Sequence, residues 1–598
     1  MKAIPVQPKE PLYLFWSVAA TVWFYLLARA WFVPPLHDEV ATFFIYVQSG
    51  KYIPGDAFWD ANNHILNSAL SHFFYRFFGS SVFVLRLASL LFFPLYAFYV
   101  YRWTGLFFEK TERAIVGVAL LTVTALIEYF GYARGYGIGL ACAMAVMYYL
   151  SAYTDQQKIK YLIGLSVFAL TGLLASLNLL ILVLIAFGFA GCLALYQKKW
   201  THALLLIANG WWLQKILRYS FELKKRGALY YGGENGFIQD TVQSLADLLL
   251  GRETIWGAGL LLGLALLSLL LLPFLLRDRK WLSWLFSAET ALYALFWGNV
   301  TAIILMHKLL HVNYPEDRTA LHLLLLLLPM LFLALKRSAI SERVRTFSIL
   351  GLSMACTATF FTGFNLHYST FWKNERLPHT FFDYVKTHSN GYDAYISGYK
   401  MMGYSWSYYN YNSDAGVNTI QVLDYPLVHA DFMVLEPDSW NDSLKNIYTV
   451  VEQDPYNGKY LLEKKQKTRL IPRDTLNFAD NAQFSDMYFD LVKYENTELA
   501  LIDLCFEIRA DIQADHRPTS EFLLKEIEKG PANEYFSTIH LNWYADRLPG
   551  TEGYHFRQRM YLPNPHERDR FVNLFIYNPQ QEKLSIRNLQ VLVFEMTD

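Results

Sequence analysis

The stretch HDEVATFFIYVQSGKYIPGDAFWDANNHILNSALSHFFYRFFGSSVFVLR, residues 37–86, decides how the rest of the chain is interpreted. It follows an apolar segment and forms the first polar loop of the sequence. Adjacent carboxylates at a membrane surface are costly to desolvate unless they meet a cation or a reacting group. The loop is therefore predicted to carry a functional site. Its candidate site residues are Asp38, Glu39, Asn62, Asn63 and His64.

The composition predicts a membrane protein with a separate polar region. Of the 598 residues, 54% are hydrophobic and only 17% are charged, which exceeds the apolar content of average soluble proteins. Nearly all long apolar runs lie before residue 370, and the remainder mixes charge, Pro, Tyr and short alternating patterns. We therefore expect a transmembrane domain at 1–370, a small mixed α/β region at 371–470 and a β-sandwich domain at 471–598.

Apolar segments of spanning length predict about eleven transmembrane helices. The first is too long for the apolar core of a signal peptide, so we expect a retained helix. The forty-residue run at 159–197 is divided near Ser176, because a single helix of that length would overshoot a bilayer of about 30 Å. The predicted spans are 11–33, 82–105, 112–130, 134–153, 159–175, 177–197, 201–219, 255–277, 282–306, 318–335 and 345–366.

The distribution of Lys and Arg predicts the orientation. With the N-terminus inside, each short cytoplasmic loop carries two or more basic residues, as the positive-inside rule requires. The polar loops 34–81, 220–254 and 307–317 then share the outer, periplasmic side of the inner membrane with the whole C-terminal region. The basic trio Lys224, Lys225 and Arg226 breaks the rule, either because its loop is long or because it binds an anionic phosphate.

The C-terminal region predicts a mixed α/β part followed by an antiparallel sandwich. The first part suggests a helix at 379–388 and strands near Ala394–Ile396, Thr419–Val422 and Phe432–Leu435. Alternation from Leu504 to Ile512 then begins a series of short strands that suits a jelly-roll-like sandwich. Its strands are expected at Tyr535–Trp543, Tyr554–Tyr561, Phe571–Tyr577 and Leu584–Val593. Three aromatic residues there either bind carbohydrate or belong to the core: Trp543, Tyr544 and Tyr577.

Charge and cysteine content exclude two classes of protein. The formal net charge is zero and no basic cluster is interleaved with aromatics, so we expect no nucleic-acid partner. Of the four cysteines, only Cys505 lies outside the apolar spans. A disulfide framework is therefore excluded in the C-terminal region, which has to be stabilised by its own core.

The acid pair at Asp38 and Glu39 allows three interpretations. A carboxylate in an outer loop can deprotonate an acceptor hydroxyl, hold a divalent cation against a phosphate, or cap a helix that begins near Val40. Capping explains one acid and not two, and Asp38 has the position of an ordinary N-cap. The polar run before the amphipathic stretch Leu66–Phe78 favours a site, because two interfacial helices would return polar residues to the membrane edge.

Three ordered motifs resemble the GT-C superfamily of polyprenyl-phosphate-sugar-dependent glycosyltransferases, in particular its protein O-mannosyltransferase and aminoarabinose lipid A transferase branches. The resemblance covers roughly 1–340. In place of the His-Pro-Pro-Leu of many members, this chain has His64-Ile65-Leu66-Asn67. The matching residues, beyond the acid pair and His64, are Gly79, Ser80, Leu85, Arg86 and Leu87, then Glu128, Arg134 and Tyr136, and then Tyr314, Pro315, Asp317 and Arg318.

The resemblance implies an inverting hexosyl- or pentosyltransferase whose donor is a polyprenyl-phosphate sugar and whose acceptor is a glycan, lipid or protein. In that interpretation Asp38 is the general base and Glu39 orients the acceptor or a cation. Arg134, Tyr136 and Arg318 bind the donor phosphate, although each Arg could instead snorkel to the headgroups. The further substrate-binding candidates are Asn62, Asn63, His64, Arg86, Tyr314, Asp317 and Lys224.

Other interpretations of the sequence stay open. No tight metal-ligand spacing is present, and a divalent cation, if one is used, would be held by Glu39 and His64. The Gly-rich loop Tyr230–Asp240 either covers the site or is a re-entrant turn. A lipid-linked sugar transporter or flippase would place ionisable groups at mid-bilayer in two related halves, whereas these acids lie in outer loops. A non-catalytic membrane scaffold is the third alternative.

Overall fold

The structure, a computed structural model, consists of two compact units. The membrane unit comprises Met1–Val33 and Ile45–Phe371, and the C-terminal unit comprises Pro34–Phe44 and Trp372–Asp598. We call residues 34–44 the acid segment. The residues that the structure describes are 10–276, 284–413, 416–423, 426, 430–478, 482–495, 497–513, 520–528, 534–541, 543, 554–564 and 570–597.

The described part of the membrane unit has seven helices that are long and apolar enough to cross a membrane. An eighth crossing results if the pair Lys110–Leu121 and Thr124–Gly131, bent by 62°, counts as one span. The chain is therefore a multi-pass membrane protein. The seven helices are Tyr13–Phe32, Val82–Phe107, Gly135–Gln156, Leu177–Tyr196, Ala288–Leu310, Asp317–Arg337 and Glu342–Gly363.

The expected number of about eleven spans is not confirmed, although each predicted segment lies largely on helix. Ile159–Ala175 and Gly257–Leu272 are apolar but short. Trp200–Lys225 is long, but polar residues such as Lys215 lower its hydropathy. The α-helices of the membrane unit are Glu10–Phe32, Ile65–Phe78, Val82–Leu90, Phe93–Phe107, Lys110–Leu121, Thr124–Ile127, Gly135–Gln156, Ile159–Ala175, Leu180–Tyr196, Trp200–Lys225, Gln243–Leu250, Gly257–Leu276, Ala288–Leu310, Leu321–Arg337 and Glu342–Gly363.

A buried ion pair holds three parts of the membrane unit together. Arg29 of the first span is paired with Glu128, and each side chain is only 2% exposed. Glu128 also accepts hydrogen bonds from the Tyr132 hydroxyl and from the Thr370 amide, the latter at 2.8 Å. Arg29 donates to the Asn365 carbonyl at 2.7 Å. The first span, the turn after Glu128 and the chain after the last span therefore share one polar network.

The C-terminal unit begins with a five-stranded mixed sheet in the order β2-β1-β3-β5-β4. β1 runs parallel to β2 and β3, and the remaining pairs are antiparallel. The helix predicted at 379–388 and the strand predicted at Phe432–Leu435 are confirmed. The strand predicted near Thr419–Val422 is found one residue later, and the strand predicted near Ala394–Ile396 overlaps the observed one only at Ile396. The elements are helices His379–His388, Met402–Tyr411 and Asp442–Ile447 and strands β1 Ile396–Tyr399, β2 Ile420–Leu423, β3 Phe432–Leu435, β4 Tyr448–Gln453 and β5 Tyr460–Lys464.

Two antiparallel sheets follow, in the orders β11-β10-β13-β8 and β12-β9-β14-β6, with β7 paired to β14. Side chains of both sheets enter one hydrophobic core, as Phe522 and Leu574 of the first sheet and Phe506 and Val591 of the second illustrate. The alternation predicted for 504–512 thus faces a core. The strands are β6 Arg469–Asn477, β7 Ala482–Phe484, β8 Tyr488–Tyr494, β9 Leu504–Gln513, β10 Glu521–Glu528, β11 Glu534–His540, β12 Tyr554–Leu562, β13 Arg570–Tyr577 and β14 Leu584–Thr597.

The aromatic residues singled out in this region have different surroundings. Trp543 is partly buried and packs against the shared core. Tyr577 stacks on Tyr488 with 5.2 Å between ring centroids. Tyr544 lies outside the described residues. Trp543 therefore has the core contacts expected from one of the two sequence interpretations, and it keeps an exposed part that can meet a ligand.

Candidate functional site

The acid pair lies on a short helix, His37–Thr42, whose start is set by the residues before it. Leu36 is the N-cap and has the extended backbone that is typical of that position. The Glu39 carboxylate accepts a hydrogen bond from the Leu36 amide at 3.0 Å. Glu39 therefore supplies the carboxylate half of a capping box, satisfying an amide that would otherwise have no partner in the helix.

Asp38 is not the N-cap that its position in the sequence suggested. It lies inside the first turn of the helix, and the capping carboxylate belongs to Glu39. The two acids also differ in exposure, since Glu39 is 2% exposed whereas Asp38 is only partly buried. The structure thus gives the capping explanation to Glu39 and leaves Asp38 accessible. That division favours Asp38 as the acid that can exchange a proton.

The acid segment is held by the helix Met402–Tyr411 of the same unit. The His37 ring meets the Tyr404 ring edge to face at 4.7 Å, and Nδ1 of His37 lies 3.3 Å from the Met401 carbonyl. Phe43 packs edge to face on Tyr408 with centroids 5.7 Å apart. Nothing in the sequence links positions more than 350 residues apart, so sequence reasoning missed these contacts. They assign the acid pair to the C-terminal unit.

In the membrane unit, Arg134 is the centre of a second polar group. It is the N-cap residue of Gly135–Gln156, and it is 3% exposed. Its guanidinium donates to the Asn62 side-chain oxygen and lies 5.8 Å from the ring centroid of Tyr136. A buried guanidinium needs several oxygen or aromatic partners, and these contacts provide them. Asn62 of the first polar loop and Arg134, which were predicted separately, are thereby joined.

His64 contacts the same turn. Its Nδ1 is 2.7 Å from the Ala175 carbonyl, so Nδ1 carries the proton, because a carbonyl oxygen can only accept. The His64 ring meets the Tyr136 ring edge to face at 4.6 Å. Gly135 lies between His64 and Ala175 with no room for a Cβ atom. The glycine therefore allows the turn and the histidine to approach closely.

Asn63 and Asn67 fix the loop and the following helix. Asn63 donates to the Tyr52 carbonyl at 3.0 Å and is buried. Asn67, which is fully buried, donates to the Ala133 carbonyl at 3.0 Å and ties Ile65–Phe78 to the turn that carries the arginine. Sequence analysis missed Asn67. The available signal was the polar face of this amphipathic helix, on which Asn67 lies with Ser68 and Ser71.

Arg318 and Tyr136 line one small cleft, together with Ser176, Asn178 and His322. The Arg318 guanidinium lies 4.6 Å from the ring centroid of Tyr231. Arg134 and Tyr136 come from one motif and Arg318 from another, and Tyr136 links the three residues that were predicted to bind the donor phosphate. Asp38 and Glu39 belong to the other unit, so their convergence with this group stays a prediction.

The Gly-rich loop Tyr230–Asp240 is tied to the chain that leads to Arg318. Gly233 and Tyr314 exchange two backbone hydrogen bonds, at 3.1 and 2.8 Å. Gly232 has a φ of +116° and lies against the Tyr314 carbonyl, a conformation and an approach that only glycine permits easily. Asn313 donates to the carbonyls of Tyr230 and Gly232, each at 3.1 Å. The loop therefore lies on the residues 313–317.

Acidic residues cluster where the end of this loop meets residues 316 and 317. Burial first, and then the carboxylates of Asp240 and Asp317, raise the pKa of Glu316. Asp317 accepts a hydrogen bond from the Tyr231 hydroxyl at 3.1 Å, and its amide donates to Ser244 at 2.9 Å. Asp317, a tentative substrate ligand, thus has contacts that hold the loop. Tyr314 likewise stacks on His307, with ring centroids 4.0 Å apart.

Two of the tentative substrate ligands lie elsewhere in the membrane unit. Arg86 is fully buried and donates to the carbonyls of Ala30 and Val33, at 3.2 and 2.8 Å. It satisfies the last carbonyls of the first span, which favours a structural role. Lys224 is in the last turn of Trp200–Lys225 and is partly exposed.

The described residues contain no group of three or more His, Cys, Asp or Glu side chains arranged to hold a metal ion. Of the two conditional ligands, Glu39 is engaged with the Leu36 amide and His64 uses Nδ1 for a carbonyl. The two residues also belong to different units. The site geometry available within each unit therefore gives no basis for assigning a cation.

An apolar cavity with a volume of about 760 Å³ lies in the membrane unit. Its walls come from the Gly-rich loop and from three apolar helices, through side chains such as Phe237, Leu261 and Phe296. Tyr314 and Lys308 also line it. A long, apolar cavity that reaches a lysine and the loop before Arg318 can take an apolar chain with an anionic head.

Comparison with known proteins gives distant structural likenesses. No family model and no curated protein matches the sequence. The chain is similar to ArnT from Cupriavidus metallidurans, at 12% identity and a TM-score of 0.37. The apo structure is matched over 75% of this chain and 97% of that chain, and the structure bound to undecaprenyl phosphate is matched over 76% of this chain and 98% of that chain. It is also similar to arabinosyltransferase EmbB from Mycobacterium smegmatis, at 11% identity and a TM-score of 0.32, over all of this chain and 66% of that chain.

TM-scores below 0.5 carry no argument about the substrate or the chemistry of this chain. The function therefore has to be argued from its own residues.

Proposed function

We propose that the chain is a membrane glycosyltransferase that moves a hexosyl or pentosyl group from a polyprenyl-phosphate donor to a glycan, lipid or protein acceptor on the periplasmic face of the inner membrane. The observation that carries this proposal is the apolar cavity of about 760 Å³ that reaches Tyr314, four residues before Arg318. An isoprenoid chain suits its apolar walls. The phosphate of such a donor would then lie near Lys308 and the arginines.

The cluster of Arg134, Tyr136 and Arg318 supports the phosphate-binding role. Departure of a polyprenyl phosphate leaves an anion, and preorganised guanidinium groups stabilise charge that develops in the transition state. Arginine can bind phosphate oxygens through two hydrogen bonds at once, which also orients the leaving group. Tyr136 lies 5.8 Å from the Arg134 guanidinium and lines one cleft with Arg318, so a phosphate bound there would meet all three residues.

Asp38 is the general base of the proposed reaction. Its carboxylate takes the proton of the acceptor hydroxyl while that oxygen forms a bond to the anomeric carbon of the sugar. The bond from the anomeric carbon to the phosphate oxygen breaks, and the polyprenyl phosphate leaves with the electron pair. A single displacement of this kind inverts the anomeric carbon. Glu39 acts on the acceptor or a cation through its position beside Asp38, whose helix it caps.

The C-terminal unit would support the catalytic residue. The acid segment is bound to the helix Met402–Tyr411, so this unit positions Asp38. We also infer that the sheets of 469–597 form the jelly-roll-like sandwich expected from the sequence, because they share one hydrophobic core.

The test is donor turnover by the full-length protein in nanodiscs. Polyprenyl-phosphate mannose, arabinose and aminoarabinose serve as donor probes, a cell-envelope extract serves as acceptor, and released polyprenyl phosphate is measured. We expect Asp38→Asn to lower turnover by at least about 100-fold with little change in donor binding. The control Asp56→Asn, an exposed acid of the same loop, should behave as the wild type.

Two outcomes would contradict the proposal. Full turnover by Asp38→Asn would show that Asp38 is not the general base. Movement of intact donor across the bilayer without release of polyprenyl phosphate would instead identify a lipid-linked sugar transporter.

A further inference from the structure

We propose that the C-terminal unit has a saccharide-binding cleft between strands β2 and β11. The cleft has a volume of about 180 Å³ and is separate from the apolar cavity of the membrane unit. It receives Ile420 and Val422 from β2 and Phe536, Thr538 and His540 from β11. This volume is several times the roughly 30 Å³ that a water molecule occupies in the liquid, so the cleft has room for one sugar ring.

The lining has the two kinds of surface that a sugar ring requires. A sugar has an apolar C–H face, which packs on aromatic rings, and a rim of hydroxyl groups, which needs polar partners. The aromatic side chains of the cleft are Tyr404, Phe536 and Trp543, and its hydroxyl groups include Ser407 and Thr538. This mixture contrasts with the almost uniformly apolar membrane cavity.

The charges at the cleft favour a neutral ligand. Among its described lining residues there is no carboxylate, so a cationic ligand has no counter-charge. His540 is paired with Glu521 at 2.8 Å, which offsets its charge when it is protonated. Lys400 also lines the cleft and can donate hydrogen bonds to ring or hydroxyl oxygens. A neutral monosaccharide unit of a glycan fits this balance better than a phosphate.

The strand positions explain why a cleft opens here. β2 is at the end of the five-stranded sheet and β11 is at the end of its own sheet, as the described strands pair. Edge strands leave backbone donors and acceptors available to a ligand. Residues 536, 538 and 540 alternate along β11 and therefore share one face. Phe536 is 49% exposed, so this face presents an aromatic ring that is not buried in the core.

The aromatic walls of the cleft also contact the acid segment. Tyr404 packs against His37, and Trp543 lies 5.2 Å from Phe44 between ring centroids. His540 and Trp543 are themselves 4.6 Å apart, which fixes the orientation of the indole ring. A saccharide in the cleft would thus be held by side chains that also position the acid segment. Binding does not depend on the proposed transferase activity.

Binding is measured on the full-length protein in nanodiscs that are free of glycoside detergents, which would compete. The probes are maltose, cellobiose, mannobiose and arabinobiose, each observed by saturation-transfer NMR and titration calorimetry. We expect at least one probe to bind with a dissociation constant of about 1 mM. Phe536→Ala and Trp543→Ala should each raise that constant about tenfold, because each removes an apolar platform from the ligand.

The matched control is Tyr488→Ala, which removes an exposed stacked aromatic from β8, the opposite edge strand of the same sheet. It should leave binding unchanged. Because Trp543 also packs on the core, the half-exposed Phe536 provides the variant that is safe for folding. Asp38→Asn should bind the probes normally, which separates this inference from the transferase proposal.

The inference is overturned if no probe binds at about 10 mM. It is equally overturned if Tyr488→Ala abolishes binding while the two cleft variants retain it, since the Tyr488 and Tyr577 pair would then be the platform.

Discussion

Replacing Glu128 by Leu should strongly destabilise the membrane unit. The change leaves Arg29 buried without its carboxylate and removes the acceptor of the Tyr132 hydroxyl and the Thr370 amide. Removing one partner of a buried ion pair costs about 3–5 kcal/mol, because the remaining charge is not compensated. Arg29 still donates to the Asn365 carbonyl, so we expect a loss near the lower value, about 3 kcal/mol.

A double variant separates the effect of the uncompensated charge from the effect of packing. The double variant Arg29→Met with Glu128→Leu replaces both charged groups by apolar groups of similar size, which is often close to neutral for a buried pair. We expect its free energy of unfolding to lie within about 1 kcal/mol of the wild type. The matched control is Glu112→Gln, which breaks the partly exposed pair with Lys336 and should cost less than about 1 kcal/mol.

The assay is reversible unfolding of the full-length protein in mixed micelles, followed by tryptophan fluorescence as the denaturing detergent increases. Free energies of the wild type, Arg29→Met, Glu128→Leu and the double variant complete a double-mutant cycle. The buried-pair argument is refuted if the double variant is as unstable as Glu128→Leu alone. In that case shape, and not the uncompensated charge of Arg29, would explain the loss.

Two further predictions concern the C-terminal unit. Glu39→Gln keeps an oxygen for the Leu36 amide and should retain turnover within about tenfold, whereas Glu39→Ala should destabilise the acid segment by about 1 kcal/mol. Turnover and hydrogen exchange of the acid segment measure the two effects. Equal losses of turnover and of exchange protection in the two variants would contradict the capping role. Burial tends to raise the pKa of Glu507, but hydrogen bonds from Arg557 and Arg559 outweigh it and lower the pKa from 4.5 to about 2. Because the folded-state pKa is the lower one, stability should be complete above about pH 4.5 and fall by up to about 3 kcal/mol as the pH approaches 2. Hydrogen exchange of β9 in the full-length protein measures this, and a pH-independent wild type would contradict it.

The helices of the membrane unit were predictable because their signal is local. A run of apolar residues long enough to span a bilayer specifies a helix without reference to the rest of the chain. The same signal cannot report a break such as the 62° bend between Lys110–Leu121 and Thr124–Gly131. That bend is followed by the turn in which Glu128 meets Arg29, a contact between residues 99 positions apart. Hydropathy is therefore a better guide to where helices lie than to how many complete spans they make.

The candidate site was predictable in its residue types and only partly in their roles. Arg134 and Tyr136 came from one motif and Arg318 from another, and the fold brings Tyr136 and Arg318 to one cleft. Their shared surroundings depend on Gly135, whose missing Cβ allows His64 to approach Ala175. A sequence pattern contains the glycine but not the neighbour that it accommodates. Roles that depend on tertiary contacts are thus invisible until the fold is known.

The acid pair illustrates the same limit at closer range. Its local pattern, two acids before an apolar run, gave Asp38 the N-cap position, but the helix starts at His37, with Leu36 as its extended N-cap. Shifting the start by one residue places Glu39 at the third helical position, where a carboxylate returns to the Leu36 amide. Glu39, and not Asp38, is therefore the acid that stabilises the helix, and Asp38 is partly exposed. A one-residue shift thus decides which carboxylate is available for chemistry, and the different effects expected for Asp38→Asn and Glu39→Gln follow from it.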